Sequence, residues 1–129
     1  MKAIGPERSF HDAVGGDPFF VALVDRFYAA VETDARLRPL YPEDLSGPKH
    51  WLSEFLIQYW GGPARYDEAK GHPRLRQRHA PFAIGPEQAE AWLEHMTAAV
   101  AAAHLPPALE QPLQDYFARA APSLINQPG

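Results

Sequence analysis

Glycine and proline residues divide this chain into short segments, and the segments between them carry apolar residues at helical spacing. The clearest stripe follows Asp17-Pro18, which we interpret as the N-cap and the first residue of a helix. Its apolar residues lie at offsets 0, 3, 4, 7, 8 and 11: Phe20, Leu23, Val24, Phe27, Tyr28 and Val31. Because Tyr28 lies on this stripe, we expect its hydroxyl to be buried and to need a hydrogen-bond partner.

The same signals predict helices along the rest of the chain. Ser9 can cap a first helix that ends at Val14. Further helices are predicted over 35–40, 48–60, 73–79 and 86–103, followed by a last one from about Gln111 that Pro122 should kink. The apolar stripe of the 48–60 helix consists of Leu52, Phe55, Leu56 and Tyr59. Because the sequence shows no strand pattern, we predict the all-α class.

Composition limits the class of protein. The 129 residues suit one domain, which we place at 9–126 between a loose leader at 1–8 and a tail at 127–129. A net charge of −4 argues against non-specific nucleic-acid binding. No apolar run approaches the roughly 20 residues that span a bilayer. The absence of cysteine removes disulfides and thiolate ligands, and we expect a cytoplasmic protein.

The segment from Gly71 to Phe82 carries the strongest chemical signal. It contains His72, His79 and three arginines, at positions 74, 76 and 78. Pro81 should end a short helix at His79. A neutral imidazole there could ligate a metal while the arginines meet an anion, which is the combination that an iron porphyrin with two propionates requires. The alternative is a solvated basic turn with an ordinary histidine.

Other candidate groups are weaker. His11 and His104 lie near predicted helix ends without companions, which favours surface roles, and packing is the expected role of His95. The sequence has no zinc, di-iron, nucleotide-binding or nucleophile motif. The polar aromatic residues Tyr28, Tyr41 and Trp92 are each typical of a core, but together they could form a cage of hydrogen-bond donors.

Six short blocks, in order along the chain, carry a resemblance to a known family. They are Phe10–Gly16, Phe27-Tyr28, Tyr41–Asp44, Gln58–Pro63, Gly71–Phe82 and Ala91–Leu93. With these blocks the sequence resembles the group II truncated haemoglobins over nearly its whole length. The resemblance implies a two-over-two α-helical sandwich around b-type haem.

The resemblance also implies roles for individual residues. His79 would be the proximal iron ligand, and the distal hydrogen-bonding set would be Tyr28, Tyr41 and Trp92, with Leu52 and Phe55 as apolar neighbours. Two departures from the family pattern matter. Pro48 occupies a position where other globins often place a ligand-binding residue, and Trp51 replaces a basic residue that some relatives use against a propionate. Substitute propionate partners are Arg78, Arg74, His72 and Tyr66.

These roles predict a protein that binds O₂, CO, NO or small anions at the haem iron, with tight binding and slow release. One alternative is a redox enzyme on the same haem, with NO dioxygenation or peroxidase-like activity, which would need an unidentified electron donor. More remote alternatives are a haem-free helical interaction module and a small histidine metal site. The chain could also form a homo-oligomer.

Overall fold

The computed structural model of this chain describes residues 9–71 and 84–126, and across them the fold is helical with no strand. The helices are α1 (Phe10–Ala13), α2 (Asp17–Val31), α3 (Ser46–Tyr59), α4 (Arg65–Lys70), α5 (Pro86–Ala101) and α6 (Pro107–Ser123), with a 3-10 helix at Arg38–Leu40. The all-α prediction is confirmed. The predicted leader at 1–8, the helix at 73–79 and the tail at 127–129 lie outside the described residues.

Two pairs of helices enclose the core. α2 packs on α3, α5 packs on α6, and α2 also packs on α5, which joins the two pairs. Every residue of the predicted α2 stripe is buried. The opposite side of the core comes from α5 and α6, through Ala91, Met96, Val100, Leu113 and Phe117. Since burial of one large apolar side chain is worth roughly 1.5–3 kcal/mol, this shared core holds the two pairs together.

α1 is held against the turn that follows α3. The Ser9 side chain accepts a hydrogen bond from the Asp12 amide at 3.2 Å, which confirms the predicted cap. The His11 amide donates to the Trp60 carbonyl at 2.8 Å. Gly61 has a φ of 101°, and a Cβ there would lie 2.5 Å from the Cβ of Ser9. A larger residue at position 61 would therefore be strained and would displace α1.

The structure corrects the start of α2 and the helix predicted at 35–40. The N-cap of α2 is Gly16, and Asp17 is the first helical residue, because the Asp17 carboxylate binds other side chains instead of the helix end. Only Arg38–Leu40 is helical in the second region, as a 3-10 turn. There the Asp34 carboxylate accepts the Arg36 amide at 2.8 Å, a local turn that competes with helix formation.

Two further predictions about helices were wrong. The last helix begins at Pro107 instead of Gln111, because Pro107 is favourable in the first turn and the missing N–H of the exposed Pro112 interrupts only one hydrogen bond. Tyr59 is 52% exposed, since the buried face of α3 is rotated toward Ser53, Phe55, Leu56 and Ile57. Helix α4 was not predicted.

A polar network ties α1, α2, α3 and α4 together. The Nε2 of His11 lies 2.6 Å from Asp17, and Arg65 donates to Asp17 at 2.7 Å and to Glu54 at 2.8 Å. Hydrogen bonds from His11 and Arg65 hold the pKa of Asp17 below its usual 3.8. The surface role expected for His11 is therefore wrong, because its side chain is only 12% exposed and its ring stacks on Phe20.

A second network fixes the connection between α2 and α3. Asp34 accepts hydrogen bonds from the Arg36 guanidinium at 2.6 and 3.0 Å, and its Oδ2 lies 2.6 Å from the Nε2 of His95 on α5. Since a carboxylate can only accept, the Nε2 of His95 carries the proton. These contacts, those with Arg36 foremost, hold the pKa of Asp34 far below its usual value.

The change Asp34→Asn should lower the melting temperature by roughly 3–6 °C at pH 7, because Arg36 and His95 lose their shared anion. A carboxyl group whose pKa is lowered by folding stabilises the fold at pH values above its unfolded pKa of 3.8, and that stabilisation is lost as the pH falls below 3.8. The difference in melting temperature between the native protein and Asp34→Asn should therefore become smaller below about pH 4. Thermal melts from pH 7 to pH 3 measure it.

Asp25→Asn is the matched control for this prediction, since Asp25 is exposed and meets one lysine at 3.9 Å. Such surface pairs contribute little, so its melting temperature should stay close to that of the native protein. Equal melting temperatures for Asp34→Asn and Asp25→Asn would contradict the structural role of the Asp34 network.

Candidate functional site

An apolar cavity of about 210 Å³ lies between the two helix pairs. Residues of α2, α3, α4, α5 and α6 line it, together with Tyr41 from the connection before α3. They are Tyr28, Tyr41, Pro48, Trp51, Leu52, Phe55, Leu56, Tyr66, Trp92, Tyr116, Phe117, Ala120 and Leu124. The predicted distal residues and both of their predicted apolar neighbours therefore meet at one cavity.

A second cavity of about 240 Å³ adjoins the first. The two share four lining residues, Tyr41, Pro48, Trp92 and Leu124, and the second extends toward Leu37, Leu40, Ile84 and Ala89. Together the two cavities fall within the range of about 300–1,000 Å³ in which proteins bind small molecules and cofactors. Tyr41 and Trp92 thus lie in the wall that the two cavities share.

The three polar aromatic residues lie close together at the cavity wall. The rings of Tyr28 and Tyr41 lie edge to face, with their centroids 5.4 Å apart. The ring of Phe27 contacts both Tyr28, at 5.0 Å, and Trp92, at 5.3 Å. Burial raises the pKa of Tyr28 well above its usual 10, and the neighbouring Tyr41 raises it further. Both phenols are therefore protonated at neutral pH and act as neutral donors.

The Tyr41 phenol is buried beside Tyr28 and Trp92. Burial raises its pKa, whereas hydrogen bonds with the side chains of Tyr28 and Trp92 act in the opposite direction by favouring its ionised form. Because an indole N–H can only donate, Trp92 enters the site as a hydrogen-bond donor. Tyr28, Tyr41 and Trp92 thus place two O–H groups and one N–H group at the wall of the same cavity.

Another part of the cavity wall is aromatic, and a cation lies over one of its rings. Tyr66, named as a propionate candidate, is buried and contacts the rings of Trp51 and Phe55 at 5.9 and 5.8 Å. The ammonium of Lys70 lies 4.8 Å from the ring centroid of Trp51. Sequence reasoning missed Lys70 as a candidate, although Lys70 directly precedes the Gly71–Phe82 segment and the family pattern predicts a basic residue where this chain has Trp51.

Several predicted site residues fall outside the part of the chain that the structure describes. They are His79, His72, Arg74 and Arg78, and their roles remain predictions. Within residues 9–71 and 84–126, no group of three or more histidine, cysteine, aspartate or glutamate side chains could hold a metal ion. In the same ranges, no helix is long and apolar enough to cross a membrane.

Comparisons with known proteins agree with this architecture. The model of the family described as bacterial-like globin matches residues 9–126, which is most of the chain. The chain belongs to this globin family. Its group is indicated by the group 2 truncated haemoglobin YjbI of Bacillus subtilis, which is 46% identical over 81 residues, covering 63% of this chain and 61% of that protein. That alignment spans less than two thirds of the relative's length.

Solved structures match this truncated globin over more of its length. The haemoglobin of Chloroflexus aurantiacus is 48% identical with a TM-score of 0.91, covering 94% of this chain and all of that one. The truncated oxygen-avid haemoglobin of Bacillus subtilis is 36% identical with a TM-score of 0.87, covering 92% of this chain and all of that one. These comparisons confirm the predicted group II truncated globin fold, and the family implies haem as the cofactor.

The cavity residues fit such a group. A porphyrin needs apolar surface on both faces, and the cavity is lined mainly by aromatic and aliphatic side chains. Tyr28, Tyr41 and Trp92 also line it, and their O–H and N–H groups are the kind of donor that a small ligand at the iron would need. Pro48 lies in the same wall, where it has no N–H to donate. The polar side of the site therefore depends on these three aromatic residues.

Proposed function

We propose that this truncated globin binds haem b in the cavity between its helix pairs and holds O₂ or another small ligand against Tyr28, Tyr41 and Trp92. His79 is the proximal ligand in this proposal. The observation that carries it is the meeting of three polar aromatic side chains at the wall of one apolar cavity. The haem iron, when bound, supplies the coordination position for O₂, CO, NO or a small anion.

The chain's own residues would set how tightly the ligand is held. A ligand that gains negative charge on binding is stabilised by donors from a water-poor wall, at roughly 1.5–3 kcal/mol for each hydrogen bond to a charged group. Tyr41 is well placed for the direct contact, since it lines both of the adjoining cavities. We therefore propose tight binding and slow release, and the oxygen-avid relative in Bacillus subtilis supports this.

The propionates of the haem need cations or donors. Our candidates are those of the sequence, Arg78, Arg74, His72 and Tyr66. The structure adds Lys70, which lies over the ring of the cavity residue Trp51. A lysine from α4 would then take the place of the basic residue that Trp51 replaces on α3.

Filling the cavity tests the proposal directly. Ala120 lines the cavity from α6, so Ala120→Trp places an indole where the haem should lie. Overpacking costs about 1–3 kcal/mol, and each 1.4 kcal/mol is a factor of ten, so we expect roughly tenfold weaker haem binding. Haemin titration of the haem-free protein, followed by the Soret band, measures the affinity.

Ala118→Trp is the matched control, because Ala118 lies two residues earlier on α6 and is exposed. It adds the same side chain outside the cavity, so its haem affinity should equal that of the native protein. Native affinity in Ala120→Trp would place the haem elsewhere and contradict the proposal.

A further inference from the structure

Arg38 contacts both backbone polar groups of Tyr41. The amide of Tyr41 donates to the carbonyl of Arg38 at 3.2 Å, and the carbonyl of Tyr41 accepts from the Arg38 guanidinium at 3.3 Å. The same guanidinium donates to the carbonyls of Pro42 and Glu43, each at 2.9 Å. One side chain thus binds three consecutive carbonyls, and its own backbone closes the turn.

Tyr41 depends on such contacts because it lies outside the helices. It follows the 3-10 helix in an extended conformation, with φ −118° and ψ 154°, as expected for a residue before proline. Pro42 has no N–H, so it adds no backbone donor to the turn. The ring of Tyr41 nevertheless has to hold its place between Tyr28 and Trp92, which sit on two different helices.

We infer that Arg38 is a positioning residue for ligand binding: by clamping the carbonyls of residues 41–43, it holds the Tyr41 hydroxyl at the junction of the two cavities. The inference rests on the proposed function, in which Tyr41 donates to the ligand. Arginine suits this role because its planar fork presents several donors at fixed angles, whereas lysine presents one compact ammonium group. Arg38 contacts no ligand itself and acts through Tyr41.

Arg38→Met tests the clamp, because methionine keeps the apolar stem and removes every side-chain donor. We expect O₂ dissociation to become roughly three- to tenfold faster, since a donor displaced by less than an ångström loses much of its contact. The C–O stretch of the CO complex should shift toward the value of a less polar pocket. Arg119→Met on α6 is the control, because Arg119 is exposed and the charge change is identical.

A double-mutant cycle separates positioning from a general effect. If Arg38 acts through Tyr41, Arg38→Met combined with Tyr41→Phe should release O₂ within about twofold of the rate of Tyr41→Phe alone. Additive effects, or an unchanged rate and C–O stretch in Arg38→Met, would overturn the inference. Arg38→Lys gives a second test should Arg38→Met not fold, and it should shift both readouts in the same direction by less.

Amide hydrogen exchange tests the clamp independently of haem. In Arg38→Met the Tyr41 amide should exchange several-fold faster than in the native protein, whereas amides in the middle of α2 keep their native rates. Equal exchange at Tyr41 in both proteins would overturn the clamp. If the native protein takes up no haem, the proposed function fails, but the exchange measurement still decides whether Arg38 orders Tyr41.

Discussion

Replacing His79 with glycine should remove the haem from this protein or leave it dependent on added imidazole. In the proposed site the imidazole of His79 is the side chain that binds the iron. Loss of supporting side chains around a metal ligand commonly costs 10- to 100-fold in affinity, so we expect loss of the ligand itself to cost at least roughly 100-fold. Haemin titration with and without free imidazole measures this, and imidazole should restore much of the binding.

His104→Gly is the control for the loss of an imidazole. His104 is exposed and has a φ of 53°, a conformation that glycine adopts readily, so this change should leave both fold and haem binding intact. A His79→Gly protein that keeps the native ferrous spectrum without added imidazole would show that another residue binds the iron.

Replacing Trp92 with phenylalanine should accelerate O₂ dissociation by roughly 10- to 100-fold. The change keeps an aromatic ring against Phe27 and Phe117 but removes the indole N–H, which in the proposed site donates to the bound ligand. A lost hydrogen bond to a charged group costs roughly 1.5–3 kcal/mol, and 1.4 kcal/mol is a factor of ten. Stopped-flow displacement of O₂ by CO gives the rate.

Trp60→Phe is the matched control for Trp92→Phe. Trp60 packs against Phe10 and Tyr116 and lines neither of the two cavities. Its buried indole N–H has no hydrogen-bond partner within the part of the chain that the structure describes. Trp60→Phe should therefore leave the rate of O₂ dissociation unchanged. If both variants release O₂ at the native rate, Trp92 has no part in holding the ligand.

The helices that build the core could be predicted because their signal is local. The α2 stripe is buried as its spacing predicts, and Ser9 caps α1 as its side chain predicts. The errors lie where a distant partner overrides the local signal. Asp17 is drawn away from its helix end by His11 and Arg65, and Asp34 shortens the next helix by binding Arg36 and His95.

The candidate site could likewise be predicted only in part. The resemblance named the residues that meet at the cavity, Tyr28, Tyr41 and Trp92, and the structure brings them together. It did not name two residues that the structure adds near the site. Arg38 acts on backbone carbonyls, a contact that leaves no pattern in the sequence, and Lys70 reaches Trp51 from another helix. The role of His79 stays a prediction.

The most direct test of this account is the absorption spectrum of the purified protein before and after addition of CO. The account predicts one haem per chain, with a Soret band that moves when CO binds to the ferrous form. A colourless protein that takes up no added haemin, or a Soret band that CO leaves unchanged in the reduced protein, would contradict it.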